Sequence, residues 1–85
     1  MASETALSDP LVVLVEKVRL ARLPSPARRR EIRERAGVSL RRMAAALGVD
    51  PMSAARWERG DVTPRLDHAV AYRRLLGELE AVMGE

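Results

Sequence analysis

Apolar residues return every three or four positions through most of this 85-residue chain, and short polar residues followed by proline punctuate them. Leu11, Leu14, Val15, Val18 and Ala21 form one stripe at helical spacing. Leu66, Ala69, Val70, Leu76, Leu79 and Met83 form another, with Tyr72, Leu75 and Val82 to one side. Asp9-Pro10, Ser25-Pro26, Asp50-Pro51 and Thr63-Pro64 each place a capping side chain before a proline. Proline costs nothing at the first helical position, where the N–H it lacks would have no partner. Ser39 opens a fifth helix without one. This punctuation predicts five helices, over about 9–23, 26–36, 39–47, 50–59 and 64–82, and no strands. The chain reads as all-α. Residues 1–8, small and polar, are expected to form a disordered tail, and residues 9–85 a single domain in which 9–23 is an extra N-terminal helix before a core of 26–80.

The first of these helices has more apolar surface than one contact uses. Its stripe is expected to pack on the domain, while Val12, Val13, Leu20 and Leu23 cover much of the remaining circumference. The second face, centred on Val13 and Leu20, is therefore expected either to join two subunits of a homodimer or to lie covered by the C-terminal helix.

Residues 39–60, SLRRMAAALGVDPMSAARWERG, carry the chain's most specific spacing. A small residue at Ala44 allows two helix axes to approach within the usual 8–10 Å or so. Gly48 suits a left-handed turn after Leu47, and Asp50 with Pro51 restarts the helix. Ser39, Met43-Ala44, Leu47-Gly48-Val49, Arg56-Trp57-Glu58-Arg59-Gly60 and Pro64 together resemble the Cro/repressor-type (XRE) helix-turn-helix family, over roughly residues 28 to 80. The stretch Glu31 to Ser39 is similar to small regulators of actinobacteria and their phages, and fourteen arginines against one lysine suit a GC-rich coding source.

The resemblance implies a five-helix Cro/repressor-like domain that binds double-stranded DNA, acting as a phage or prophage regulator. Its base-reading positions fall on Pro51, Met52, Ala55 and Arg56. Only Arg56 donates hydrogen bonds to a base edge, an interaction that discriminates by about 1–3 kcal/mol, whereas specific sites are preferred by about 4–10. A monomer would discriminate poorly, so a homodimer on a two-fold site is expected. Phosphate contacts are expected from the helix start at Ser39, from Arg41 and Arg42 beside it, and from Arg59 and Arg65. Leu40 stands where many family members carry a phosphate-clamping Gln. The resemblance further implies a structural ion pair between Arg33 and Glu58, and it places Arg33 and Arg35 nearer to DNA than Arg28 to Arg30.

Charge sharpens this picture. Residues 17–42 hold ten basic and two acidic side chains, whereas residues 43–85 hold five and seven. The basic band reads as a phosphate-binding footprint or as a solvated face. Arg28, Arg29 and Arg30 crowd a helix start, where the macrodipole disfavours cations. They are thus candidates for capturing a partner protein, which is the alternative function: an interaction module built on the same fold. Trp57 is expected in the core and His68 on a polar face. No nucleophile-base arrangement or metal-ligand cluster is present, so neither an enzyme nor a metal or other cofactor is expected. The chain lacks cysteine, which fits the reducing cytoplasm. Its longest apolar run, Leu11 to Val15, falls far short of a bilayer span, and the acidic N-terminus does not read as a signal peptide.

Overall fold

A computed structural model describes residues 9–85. The expectation of a disordered tail falls on residues outside this range. Among the described residues there are five helices and no strands: α1 (Pro10–Leu20), α2 (Pro26–Arg35), α3 (Leu40–Leu47), α4 (Pro51–Arg59) and α5 (Leu66–Met83). Four starts are capped as their sequences imply. The side chains of Asp9, Ser25, Ser39 and Asp50 accept from the backbone N–H groups of Leu11, Arg28, Arg42 and Ser53. Gly48 ends α3 at φ 70° and Gly60 ends α4 at φ 78°, in the left-handed region where a Cβ is strained. At Gly60 a Cβ would also lie 2.9 Å from the Pro26 ring.

Two boundaries differ from the sequence reading. The first helix stops at Leu20 rather than near residue 23, because Pro24 disfavours helical geometry at Leu23 and Ser25-Pro26 at once starts the next helix. Thr63-Pro64 does not open the last helix. Pro64 is buried in the packing, α5 begins two residues later, and Arg65 at its N-cap position makes no side-chain cap. Gly77, in the middle of α5, weakens that helix by about 1 kcal/mol relative to alanine.

The core joins Ile32 of α2, Met43 and Ala44 of α3, Ala54 and Trp57 of α4, and Tyr72 and Leu76 of α5. Ala44 and Ala54 are fully buried, so α3 and α4 meet through methyl groups. Trp57 is in the core, with its ring 5.9 Å from that of Tyr72. Tyr72, expected beside the C-terminal stripe, is instead at its centre. Its hydroxyl is buried without a hydrogen-bond partner, and burial pushes its pKa up to about 12. His68 is not on a polar face either: its ring lies 5.3 Å from Trp57 and covers the indole from outside.

Of the two arrangements expected for the second face of α1, the structure has the one against the C-terminal helix, α5. Val13, Lys17 and Leu20 turn toward α5, where Lys17 pairs with Asp67 at 2.9 Å and Val70 closes the gap. Of the stripe expected to pack, Ala21 is half-buried, while Leu14 and Val18 at 52% and 51% are little more exposed than Val13 at 48%, and Leu11 at 73% is the most open. The Lys17–Asp67 pair is exposed on both sides and contributes little, so it accompanies this orientation without fixing it. No residue of α1 is fully buried.

Candidate nucleic-acid interface

α4 has two opposed sides. Ala54, Trp57 and Glu58 are buried, and this turns Pro51, Met52, Arg56 and Arg59 outward, with Ala55 half-buried between them. Met52 is 62% exposed. The five outward positions follow the i, i+1, i+4, i+5, i+8 series of one helical face. α3 crosses behind this face, and the Gly48 turn sets the angle between the two helices. This is the geometry of a helix presented to a groove by a second helix braced against it.

The first turn of α3 leaves backbone donors free. Ser39 Oγ accepts from the Arg42 N–H at 3.1 Å and its carbonyl accepts from Met43, leaving the Leu40 and Arg41 N–H groups unbonded among the described residues. Arg41 and Arg42 are exposed there without an acidic partner, as are Arg56 on α4 and Arg65 before α5. The start of α4 is different. The Asp50 carboxylate accepts from both the Ser53 N–H and the Ser53 hydroxyl, at 2.9 and 2.8 Å, and the backbone donor holds it below the usual carboxylate range. A fixed negative charge thus occupies that helix end, in contrast to the first turn of α3.

One ion pair locks α4 in place. Arg33 of α2 donates from Nε and Nη2 to the two carboxylate oxygens of Glu58, at 2.6 and 2.8 Å, and from Nη1 to the Val38 carbonyl at 2.8 Å. Both side chains are largely buried, and the bond to Glu58 raises the Arg33 pKa. Arg33 is therefore spent on the fold, as the ion pair with Glu58 implied, and its nearness to the DNA side gives it no free nitrogen there. Arg29 does similar work that sequence reasoning missed: it donates to the Pro24 carbonyl at 2.7 Å and the Trp57 carbonyl at 2.8 Å, tying the linker and the end of α4 to α2. No spacing in the sequence signals a bond from a side chain to a distant backbone carbonyl.

The basic band of residues 17–42 proves to be mostly neutralised. Six of its ten cations lie in ion pairs: Lys17 with Asp67, Arg19 with Glu16, Arg28 with Glu31 and Glu80, Arg30 with Glu34, Arg33 with Glu58 and Arg35 with Glu31. The Arg28 to Arg30 cluster is thus engaged within the chain, which weakens its reading as a docking patch. Arg59 pairs with Asp61 at 2.8 Å, but both side chains are exposed and the contact is weak.

No helix among the described residues is long and apolar enough to cross a membrane. Comparison with curated proteins and with solved structures gave no match. Residues 30–81 match the helix-turn-helix family, a span that begins inside α2 and ends near the close of α5. With more than half of its length matched and its helices arranged around the Gly48 turn, the chain belongs to the helix-turn-helix family of DNA-binding domains.

Proposed function

We propose that this protein is a transcription regulator of the repressor type that binds a two-fold DNA site as a homodimer. The observation that carries the reading is the sorting of its arginines. Six of the fourteen, Arg19, Arg28, Arg30, Arg33, Arg35 and Arg59, pair with carboxylates and Arg29 with backbone carbonyls, whereas Arg41, Arg42, Arg56 and Arg65 on and around the helix-turn-helix are left unpaired among the described residues, as are Arg22, Arg73 and Arg74 away from it. In this reading Arg41, Arg42, Arg65 and the free N–H groups after Ser39 hold phosphates, with Arg59 a secondary contact released from Asp61. Arg56 reads a guanine, while Met52 and Ala55 meet thymine methyls and Pro51 shapes the approach. One such reader is too little for a specific site, so two subunits bind half-sites about 34 Å apart. The outward stripe Leu11, Leu14, Val15 and Val18 supplies a self-matching surface for the second copy. Its 3-1-3 spacing is unchanged on reversal, so an antiparallel pair sets Leu11 against Val18 and Leu14 against Val15. The phage or prophage character suggested by Glu31 to Ser39, and action in the cytoplasm, belong to the same proposal.

Titrating salt against binding to a labelled duplex tests it. Three to five phosphates neutralised per subunit predict a log-log slope of about −3 to −5 per subunit. Arg41→Ala and Arg42→Ala should each weaken binding to every sequence alike and reduce the slope by about 1. A slope near zero, or indifference to both substitutions, would overturn the assignment.

A further inference from the structure

A second set of unpaired cations lies away from the helix-turn-helix. Arg22, in the linker after α1, and Arg73 and Arg74, on α5, are exposed and have no acidic partner among the described residues. They surround a groove of about 700 Å³ between that linker and α5, with Leu23, Val70 and Leu76 among its lining residues. Of the two carboxylates in the lining, Glu80 is already bound by Arg28 at 2.7 Å, which leaves Glu78 against three guanidinium groups. The lining thus combines apolar side chains with three unpaired guanidinium groups.

Gly77 also lines this groove. It sits in mid-helix, where glycine is unfavourable, yet a Cβ built there would meet nothing within 4 Å. Packing inside the chain therefore does not require it. A glycine that no internal neighbour demands, at the wall of a groove, makes room for an incoming group.

We propose that this groove docks an acidic, amphipathic peptide segment of a partner protein, with its apolar side chains on the half-buried Leu23 and Val70 and its carboxylates on Arg22, Arg73 and Arg74. An amphipathic helix with apolar and acidic positions matches both kinds of lining residue, whereas duplex DNA would present to these cations its sugar-phosphate backbone, with its apolar base edges recessed in the grooves. The groove's lining shares no residue with the exposed face of α4.

The test uses the full chain and a fluorescent amphipathic peptide of about 14 residues, with Leu at helical spacing and Glu between. Saturable binding at about 10–100 µM in low salt is expected. Gly77→Leu should fold with an unchanged or higher Tm, since leucine favours helix, yet bind the peptide at least about tenfold more weakly because its side chain fills the groove. Arg73→Glu combined with Arg74→Glu should abolish peptide binding while leaving duplex affinity within about twofold of the parent. Absence of saturable binding overturns the proposal, as does full affinity in Gly77→Leu or equal binding of polyglutamate. If the charge-reversed variant loses duplex affinity as Arg41→Ala does, the patch is a DNA contact and the proposal also fails.

Discussion

Glu58→Ala isolates the bond that sets the reading helix. In the parent, the guanidinium of Arg33 makes two bonds to Glu58, at 2.6 and 2.8 Å, and one to the Val38 carbonyl, with side-chain exposures of only 13% and 7% for the pair. Alanine removes both carboxylate acceptors and leaves a buried cation with a single carbonyl. Breaking one side of such a pair costs about 3–5 kcal/mol. A domain of this length has about 4–13 kcal/mol in total. Loss of 3 kcal/mol would lower Tm by about 12–24 °C, at 4–8 °C per kcal/mol. Arg33→Leu with Glu58→Leu removes both charges and should recover much of this, retaining a deficit of about 1–3 kcal/mol for the Val38 carbonyl left without its donor. Thermal and urea unfolding of parent, single and double variants measure the cycle. A Glu58→Ala loss below about 1 kcal/mol, or a double variant less stable than the single, would refute the argument that the pair is a buried lock.

Other expectations follow from the same geometry. Arg56→Ala should cut the preference for the best site by about 1–3 kcal/mol while changing affinity for random DNA little, as read by competition binding; an equal loss on both would make Arg56 a phosphate contact. Val15→Glu should yield a folded monomer by sedimentation, whereas Val13→Glu with Leu20→Glu should detach α1 from α5 and lower helicity; the opposite pattern would place the subunit contact on the other face. Tyr72 is the only tyrosine, so its phenolate absorbance reports one site. With its pKa raised from 10.0 to about 12, the stabilising neutral form is favoured in full below pH 10, and stability should fall between about pH 10 and 12 by roughly 2–3 kcal/mol. Titration of the folded protein near pH 10 would show that the hydroxyl reaches water.

Much of the fold was legible because its signals are local. A cap and its proline act within one helical turn, and a left-handed glycine acts at a single residue. Asp9, Ser25, Ser39, Asp50, Gly48 and Gly60 therefore announced themselves. The spacing from Ala44 to Trp57 was also readable, since two helices crossing at a short turn leave few positions for small and large residues. Thr63-Pro64 shows the limit of such signals. The dipeptide has the same form as the others, but Pro64 is buried and the helix begins after it.

The tertiary structure decided where each charge and each apolar face was spent. Ten cations in a window of sequence suggested one positive surface, yet six of them meet carboxylates, some from as far along the chain as Glu58, Asp67 and Glu80. Two apolar faces of α1 were visible in its sequence, but only its packing against α5 shows which one turned inward. A helical repeat shows which residues share a side, because that depends only on 3.6 residues per turn. Which side is covered, and which cation is left free for DNA, depends on neighbours brought together by folding, and those distances are not written in the order of the residues.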